Sequence, residues 1–449
     1  KPEVNDAAVY NYLSYQYNPL KETFFKNIFK LLPAHYMIID AITGKFEEKR
    51  YWQFKFNPDE SLDEEKTKKK ILETMQDSVA HHMIADVPVS SFLSGGIDSS
   101  IIVTLMSSSA KATAGQSKKI KTFTVTFGDV SEGVEAKETS EPLGTDHTEI
   151  TVGPQEYFEA LPKAIWHFDE PVADPSAIGL YFLAKEARKS VTVVLSGEGA
   201  DELFGGYNIY LEPFARRWLA WVPHTILKFL ASLPLRGSNY AERALSKLED
   251  WYIGNASVFK PNEVKNLWLD KMSKTVFDIK SLYEKAEGLS DSVKMQYVDI
   301  NTWLVGDILA KADKMTMAHS LELRVPFLDI EVAKLAQTLP DKFKWRGRVT
   351  KYLLREAFKS ILPESTRKRK KLGFPTPVKN WFTKDRKDIY DTILNNSYIQ
   401  NRMNVRYIIQ IIEEHTSGRI DNSRKIYLLL ILALWYDKFI GNSKLKIEN

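Results

Sequence analysis

The sequence predicts an α/β fold, a doubly wound parallel sheet followed by a large helical C-terminal region. Three observations carry that expectation. Short apolar runs alternate with helix-length stretches through the first half, two glycine-rich clusters stand directly after apolar runs, and from about residue 210 the pattern is helical to the end. With 449 residues, 44% of them hydrophobic, the chain can bury a large core and by length alone amounts to two or about three domains.

Taken in order, residues 1–57 combine a helical stretch at 6–15 with strand-like runs at 35–39 and 51–56 around a turn at Thr43-Gly44. That is too little for a domain. The charged segment 59–70 leads into a helix on which Ile71, Met75 and Val79 recur every fourth residue, and residues 87–93 follow as a buried strand. Three further strands are expected at 119–127, 147–151 and 190–195, with helices at 99–108 and 177–189. The stretch 134–141 reads as another helix, interrupted by Pro142, and loops are expected at Pro223, Pro261, Pro340 and residues 375–377. The expected organisation is residues 1–57 as an end piece and linker, 58–210 as the α/β core and 211–449 as the helical region.

Composition excludes several functions. The absence of cysteine removes disulfides, Cys-ligated zinc, iron–sulfur clusters and any cysteine nucleophile within these residues. A net charge of +4 is weak support for a polyanion partner, and the aromatic residues form no stripe on which bases would stack, so no nucleic acid is expected. The apolar run 427–435 is far shorter than the roughly 20 residues that span a bilayer and reads as a buried helix, so no membrane is expected. The chain opens Lys-Pro-Glu with no signal pattern; the expectation is a cytoplasmic chain that lacks an N-terminal piece.

Two clusters carry the chemistry. Ser94-Gly95-Gly96-Ile97-Asp98-Ser99-Ser100 lies between a strand and a helix, where the glycines admit a tight turn and the helix N–H groups with the Ser94 and Ser99 hydroxyls are donors for a phosphate. It lacks the Gly-Lys-Ser/Thr ending of a Walker loop. Asp98 beside a phosphate would repel it unless Mg2+ lay between, which makes Asp98 a candidate metal ligand. The second cluster, residues 195–207, places Glu198, Asp201 and Glu202 among Gly197, Gly199, Gly205 and Gly206 after another buried strand. Glu198 and Asp201, three apart, can share one face of a helical turn and hold Mg2+ opposite Asp98.

Together these segments resemble the synthetase domain of the glutamine-dependent asparagine synthetase family. The Ser-Gly-Gly-Ile-Asp-Ser loop marks the wider class of ATP pyrophosphatases; residues 194–207 and 313–329 are more specific, and 169–171, 174–176, 351–358 and 370–375 also look like family segments. The likeness runs in order from the first residues to about Phe439. It implies a sheet of the ATP pyrophosphatase (adenine nucleotide alpha hydrolase-like) type. It also implies ATP contacts at Leu93, Ser94, Gly95, Gly96, Asp98, Ser99, Val125, Phe127, Ser196 and Gly197, and Mg2+ on Asp98 and Asp201. The chain departs from the family at Ser90, where glycine is usual, at Lys314, where arginine is usual, and around 134–141.

The resemblance implies that a carboxylate, aspartate in the first instance, attacks the α-phosphate of ATP, and that ammonia then displaces AMP. Glu198 is expected to position or deprotonate the ammonia, and Lys351 to contact the α-phosphate and the intermediate. Segment 341–371 holds twelve Lys or Arg against three acidic residues, for which a polyphosphate site is a sufficient sink. Arg324 and Asp329 read as charges that hold each other, and His319 as a packed histidine. Residues 1–57 look like the end of a glutaminase domain, which implies a partner domain in cis or on a separate chain; a homodimer stays open. Other acceptors on the same scaffold, such as diaminopimelate amidation or β-lactam ring closure, and a non-catalytic or nucleic-acid-binding role, are the alternatives.

Overall fold

The computed structural model describes residues 2–113, 119–128, 133–233, 238–270, 276–369 and 376–441. The side chain of Asn5 accepts from Ala7 N and starts α1 (Asp6–Tyr15), which buries Ala8, Val9, Tyr12 and Leu13. An antiparallel hairpin follows, β1 (His35–Ile39) with β2 (Phe46–Arg50), pairing Ile39 with Phe46 across a turn in which Gly44 has φ +68°. The second strand therefore lies before the run at 51–56. That run alternates because Phe54 and Phe56 enter the core, and it ends where Asn57 and Asp59 donate to the Gln337 and Thr338 carbonyls at 2.8 and 2.9 Å. Ile38, Ile39, Ile42, Phe46 and Tyr51 on the hairpin are exposed.

Asp63 caps α2 (Glu64–His82) by accepting from Lys66 N, and Glu64 and Glu65 favour the positive end of its dipole. Ile71, Met75 and Val79 are buried as their spacing predicts. Then β3 (Val89–Phe92), α3 (Ile97–Thr113), β4 (Lys121–Thr126), α4 (Gly133–Leu143), β5 (Asp146–Thr151), α5 (Pro154–Phe168), α6 (Ser176–Ala187), β6 (Val193–Leu195) and α7 (Ala200–Phe204) alternate. Pro142 does not cut α4 short of Leu143: only that one helical residue follows it, so the hydrogen bond lost with its N–H falls in the last turn. The predicted α/β class holds, with one correction. The C-terminal half is not wholly helical, because Glu322–Arg324 returns as β7 and completes a five-stranded parallel sheet in the order β5-β4-β3-β6-β7.

That order decides where a ligand sits. From β3 the chain moves outward through β4 and β5, and β6 then lands on the opposite side of β3, parallel to it, so the direction in which the chain crosses the sheet reverses between β3 and β6. A crevice opens at the carboxyl ends of two such strands, between the loops that leave them. The two hydrophobic clusters each combine residues from before and after 210: Leu195 and Phe204 with Tyr297, Phe327 and Leu353, and Phe123 and Val194 with Leu428 and Trp435. The helix Ser423–Phe439 is buried along its apolar run. Among the described residues no helix is long and apolar enough to cross a membrane. Of the proline sites, Pro223 and Pro340 cap helices, Pro261 is the first residue of one, and Pro375 lies outside the described residues, as does the family-like segment 370–375.

Lys344, 1% exposed, has no carboxylate in ion-pair contact among the described residues. Its ammonium donates to Gln296 Oε1 at 3.1 Å and lies 4.1 Å from the centre of the Phe56 ring. Burial pushes its pKa down to about 7. The unfolded chain binds that proton up to about pH 10.4, so the cost of Lys344 to stability is full below pH 7 and is relieved as pH rises toward 10.4. Lys344→Met is expected to stabilise the protein by about 1–4 kcal/mol near pH 6.5 and by less near pH 9.5, read by denaturant unfolding. Equal effects at both pH values would contradict the account.

Candidate active site

The loop between β3 and α3 is shaped by its own hydroxyls. Ser99 Oγ accepts from Ser94 N at 3.2 Å, donates to Gly96 O at 3.2 Å and meets Ser94 Oγ at 3.2 Å; Ser94 Oγ accepts from Gly96 N at 3.3 Å. Gly95 turns the chain at φ +71°, where a Cβ would overlap the Glu135 backbone. Its carbonyl accepts from Arg369 Nη1 at 2.5 Å, and Arg369 also pairs with Glu138 at 2.7 Å, tying the loop to α4. Leu93, Ser94, Gly96, Asp98 and Ser99 line a cavity of 770 Å3, while Gly95 stands behind it.

Across the crevice, the loop from β6 to α7 presses on the first turn of α3. A Cβ at Gly197 would crowd Asp98 Cβ and Ser99 N, and one at Gly206 would overlap Asp201 Oδ1 and Lys351 Cε, so glycine is what lets these groups approach. Lys351 caps the helix Tyr352–Ala357 in a left-handed conformation, φ +51°. Its side chain, 2% exposed, puts Nζ 2.7 Å from a carboxylate oxygen of Asp98 and 2.7 Å from Asp201 Oδ1. Burial opposes that ammonium, but Asp201 and then Asp98 outweigh it and hold its pKa above the usual lysine value. Glu198 lines the same cavity with Oε2 buried and without a hydrogen-bond partner.

Of the residues expected around the nucleotide, Val125, Ser196 and Gly197 also line the cavity. Phe127 does not. Its ring packs edge-on against Tyr157 and Trp381 in the core, because an apolar residue just past β4 has a buried side to turn to. Arg324 and Asp329 do not hold each other: Arg324 pairs with Glu322 at 2.7 Å and donates to the His82 and Ile84 carbonyls, and Asp329 caps the helix Ile330–Thr338. Charges five apart here serve separate local needs at a strand end and a helix start. His319 is packed, its ring 4.3 Å from that of Tyr181, and burial lowers its pKa to about 4. Ser90, buried, donates to Val193 O at 3.3 Å, and Lys314 pairs with Asp169 at 2.6 Å.

The cavity also has an end that the motifs did not single out, lined by Gln16, Asp174, Ser176, Lys311 and Arg424. Lys311 Nζ lies 2.5 Å from Asp174 Oδ2 and 2.9 Å from Ser176 Oγ. Burial works against ionisation of Asp174, but Lys311 and the Ser176 donors prevail and hold its pKa at about 2. The Asp174-Pro175-Ser176 motif was a signal for this end; Gln16, Lys311 and Arg424 arrive from distant elements and gave none.

A parallel α/β sheet with a non-Walker phosphate-type loop at its switch point, the loop carrying one aspartate and faced by a second and by a lysine, defines the ATP pyrophosphatase class of nucleotide-using enzymes. The family model described as asparagine synthase matches residues 70–437. The chain is 43% identical over 450 residues to asparagine synthetase [glutamine-hydrolyzing] 1 of Bacillus subtilis, covering 97% of this chain and 69% of that protein. It is 37% identical over 455 residues to a putative asparagine synthetase [glutamine-hydrolyzing] of Mycobacterium tuberculosis, covering 98% and 69%. It is 31% identical over 239 residues to putative asparagine synthetase [glutamine-hydrolyzing] 2 of Methanocaldococcus jannaschii, covering 53% and 45%. The chain belongs to the asparagine synthase family: it is a carbon–nitrogen ligase that carries out ATP-dependent amidation.

Proposed function

We propose that this chain converts aspartate to asparagine through a β-aspartyl-AMP intermediate. The observation that carries the reading is the Lys351 ammonium between Asp98 of the phosphate loop and Asp201 of the facing loop, with the unpartnered Glu198 carboxylate in the same cavity. The loop N–H groups receive the phosphates of ATP, which lies along Leu93, Val125, Ser196 and Gly197. Among the described residues no three His, Cys, Asp or Glu side chains could hold a metal together. Two carboxylates completed by phosphate oxygens, however, suit Mg2+, so Asp98 and Asp201 would hold it. Mg2+ held there would supply positive charge to offset that of pyrophosphate. Lys351 leaves the aspartates for the α-phosphate and the oxygen that gains charge as the β-carboxylate attacks. Glu198 then orients the ammonia and takes its proton as nitrogen adds.

We further propose that ammonia comes from a glutamine-hydrolysing domain, in cis or on a separate chain. The names and length of the relatives support this, because the chain accounts for 69% of the two more similar ones. Residues 1–57, with the exposed apolar hairpin, are read as the end of that domain and its linker, 58–210 as the nucleotide core and 211–449 as the helical completion of the synthetase. Since this chain has no cysteine, it is expected to form asparagine from ATP, Mg2+, aspartate and ammonium, and not from glutamine. AMP, pyrophosphate and asparagine are the readouts. AMP formation with diaminopimelate and none with aspartate would favour another acceptor, and glutamate released from glutamine by this chain would overturn the nitrogen assignment.

A further inference from the structure

At the end of the cavity away from the phosphate-type loop, four ionisable side chains meet from distant parts of the chain, and their pairing is uneven. Asp174 is matched by Lys311, 2.5 Å away. Asp307, 0% exposed, lies on a π-helical turn, Leu304–Leu309; its Oδ2 accepts from Gln16 Nε2 at 2.8 Å and its Oδ1 accepts no hydrogen bond. Burial, and then the Asp174 charge, push the Asp307 pKa well above the usual carboxylate value, and its Oδ1 lies 4.0 Å from Lys311 Nζ. Arg424 stands outside these pairs. Its Nη2 donates to Gln16 Oε1 at 3.0 Å and to Ala256 O at 3.3 Å, and no carboxylate pairs with it among the described residues. Its own helix is buried from Ile426 onward, yet Arg424 is exposed on the cavity wall.

Two local departures from ordinary backbone build this end. Gln16, 3% exposed, is left-handed at φ +58°, and the π-helical turn carries Asp307 and the cavity-lining Ile308. Both cost free energy, and such features persist mainly where a site is being shaped. A guanidinium with no carboxylate in ion-pair contact, on the wall of a substrate cavity, is suited to receive a planar anion.

We infer that Arg424 receives the α-carboxylate of an amino-acid acceptor whose side-chain carboxylate points at the phosphate loop. The inference rests on the acyl-adenylate reading given above. It explains how one cavity can hold a dicarboxylic amino acid in a single orientation: the loop and Lys351 take the reacting carboxylate, and Arg424 takes the other. Arg424 is thus a specificity residue that discriminates among acceptors and leaves the chemistry at phosphorus to other groups.

The test compares aspartate with 3-aminopropanoate, which keeps the reacting carboxylate and lacks the α-carboxylate, using the 449-residue chain with ATP, Mg2+ and ammonium. The readout is kcat/KM for AMP formation or, where 3-aminopropanoate is not turned over, its inhibition constant against aspartate. Arg424→Gln is expected to lower kcat/KM for aspartate about 100-fold while the value for 3-aminopropanoate and the KM for ATP move less than about twofold. Arg424→Lys is expected to recover part of the aspartate preference. Equal losses on both acceptors in both variants would overturn the inference, leaving Arg424 as a tie between two helices. A parent enzyme that forms AMP with neither acceptor would instead bring down the underlying reading, and this inference with it.

Discussion

Lys351→Ala is expected to lower the rate of amide formation at saturating ATP by about 10³-fold, because it removes the cation that meets charge developing between the acceptor and the α-phosphate. Lys351 is placed for this by its left-handed cap position and by the glycine at 206, whose missing Cβ leaves room for its chain beside Asp201. A second, independent readout follows from the geometry. Without nucleotide, the Lys351 ammonium fills the space between Asp98 and Asp201. Its removal leaves two carboxylates with no cation between them, an arrangement that favours a divalent ion. Nucleotide-free Lys351→Ala is therefore expected to bind Mn2+ more tightly than the parent, as measured by electron paramagnetic resonance titration. Parental turnover in the variant would show that another lysine serves the phosphate, and unchanged Mn2+ affinity would show that the two aspartates are not a cation site.

Glu198→Gln is expected to separate the two halves of the reaction. The Glu198 carboxylate has one buried oxygen without a donor, an unmet acceptor that ammonia can satisfy, and the neutral amide cannot take up the proton that ammonia must lose. Asparagine formation should fall by about 10²–10⁴-fold. Adenylylation, followed as aspartate-dependent exchange of labelled pyrophosphate into ATP, should survive because the loop, Lys351 and Asp98 are untouched. Equal loss of exchange and amide formation would place Glu198 in the first step instead.

How much of this was legible beforehand depended on the range of the interaction. The strand after α2, the helix with Ile71, Met75 and Val79, and the buried helix at 427–435 were readable because periodicity and apolar runs are local signals. The loops carrying Asp98, Glu198 and Asp201 were readable because glycines after an apolar run mark where backbone leaves a sheet. Strand β7 was not, being three residues long with charges at both ends. The run at 51–56 misled because alternation reports burial, and burial there comes from the core beneath rather than from a neighbouring strand. For Phe127 the side its ring takes was not legible: a residue just past a strand end can turn its side chain toward the cavity or the core, and contacts with Tyr157 and Trp381 place the ring in the core. Gln16, Lys311 and Arg424 meet only through tertiary packing, and no local pattern announces such a meeting.

In the proposed reaction the acceptor carboxylate becomes bonded to the α-phosphorus before nitrogen arrives, and aspartate carrying heavy oxygen in its β-carboxylate follows that bond. Attack on the α-phosphorus makes one of those oxygens the bridge to AMP, and displacement by ammonia breaks the bond between carbon and that bridge. One heavy oxygen is expected in the phosphate of the AMP released and the other in the amide carbonyl. Unlabelled AMP, with the heavy oxygen in inorganic phosphate or in pyrophosphate, would contradict it.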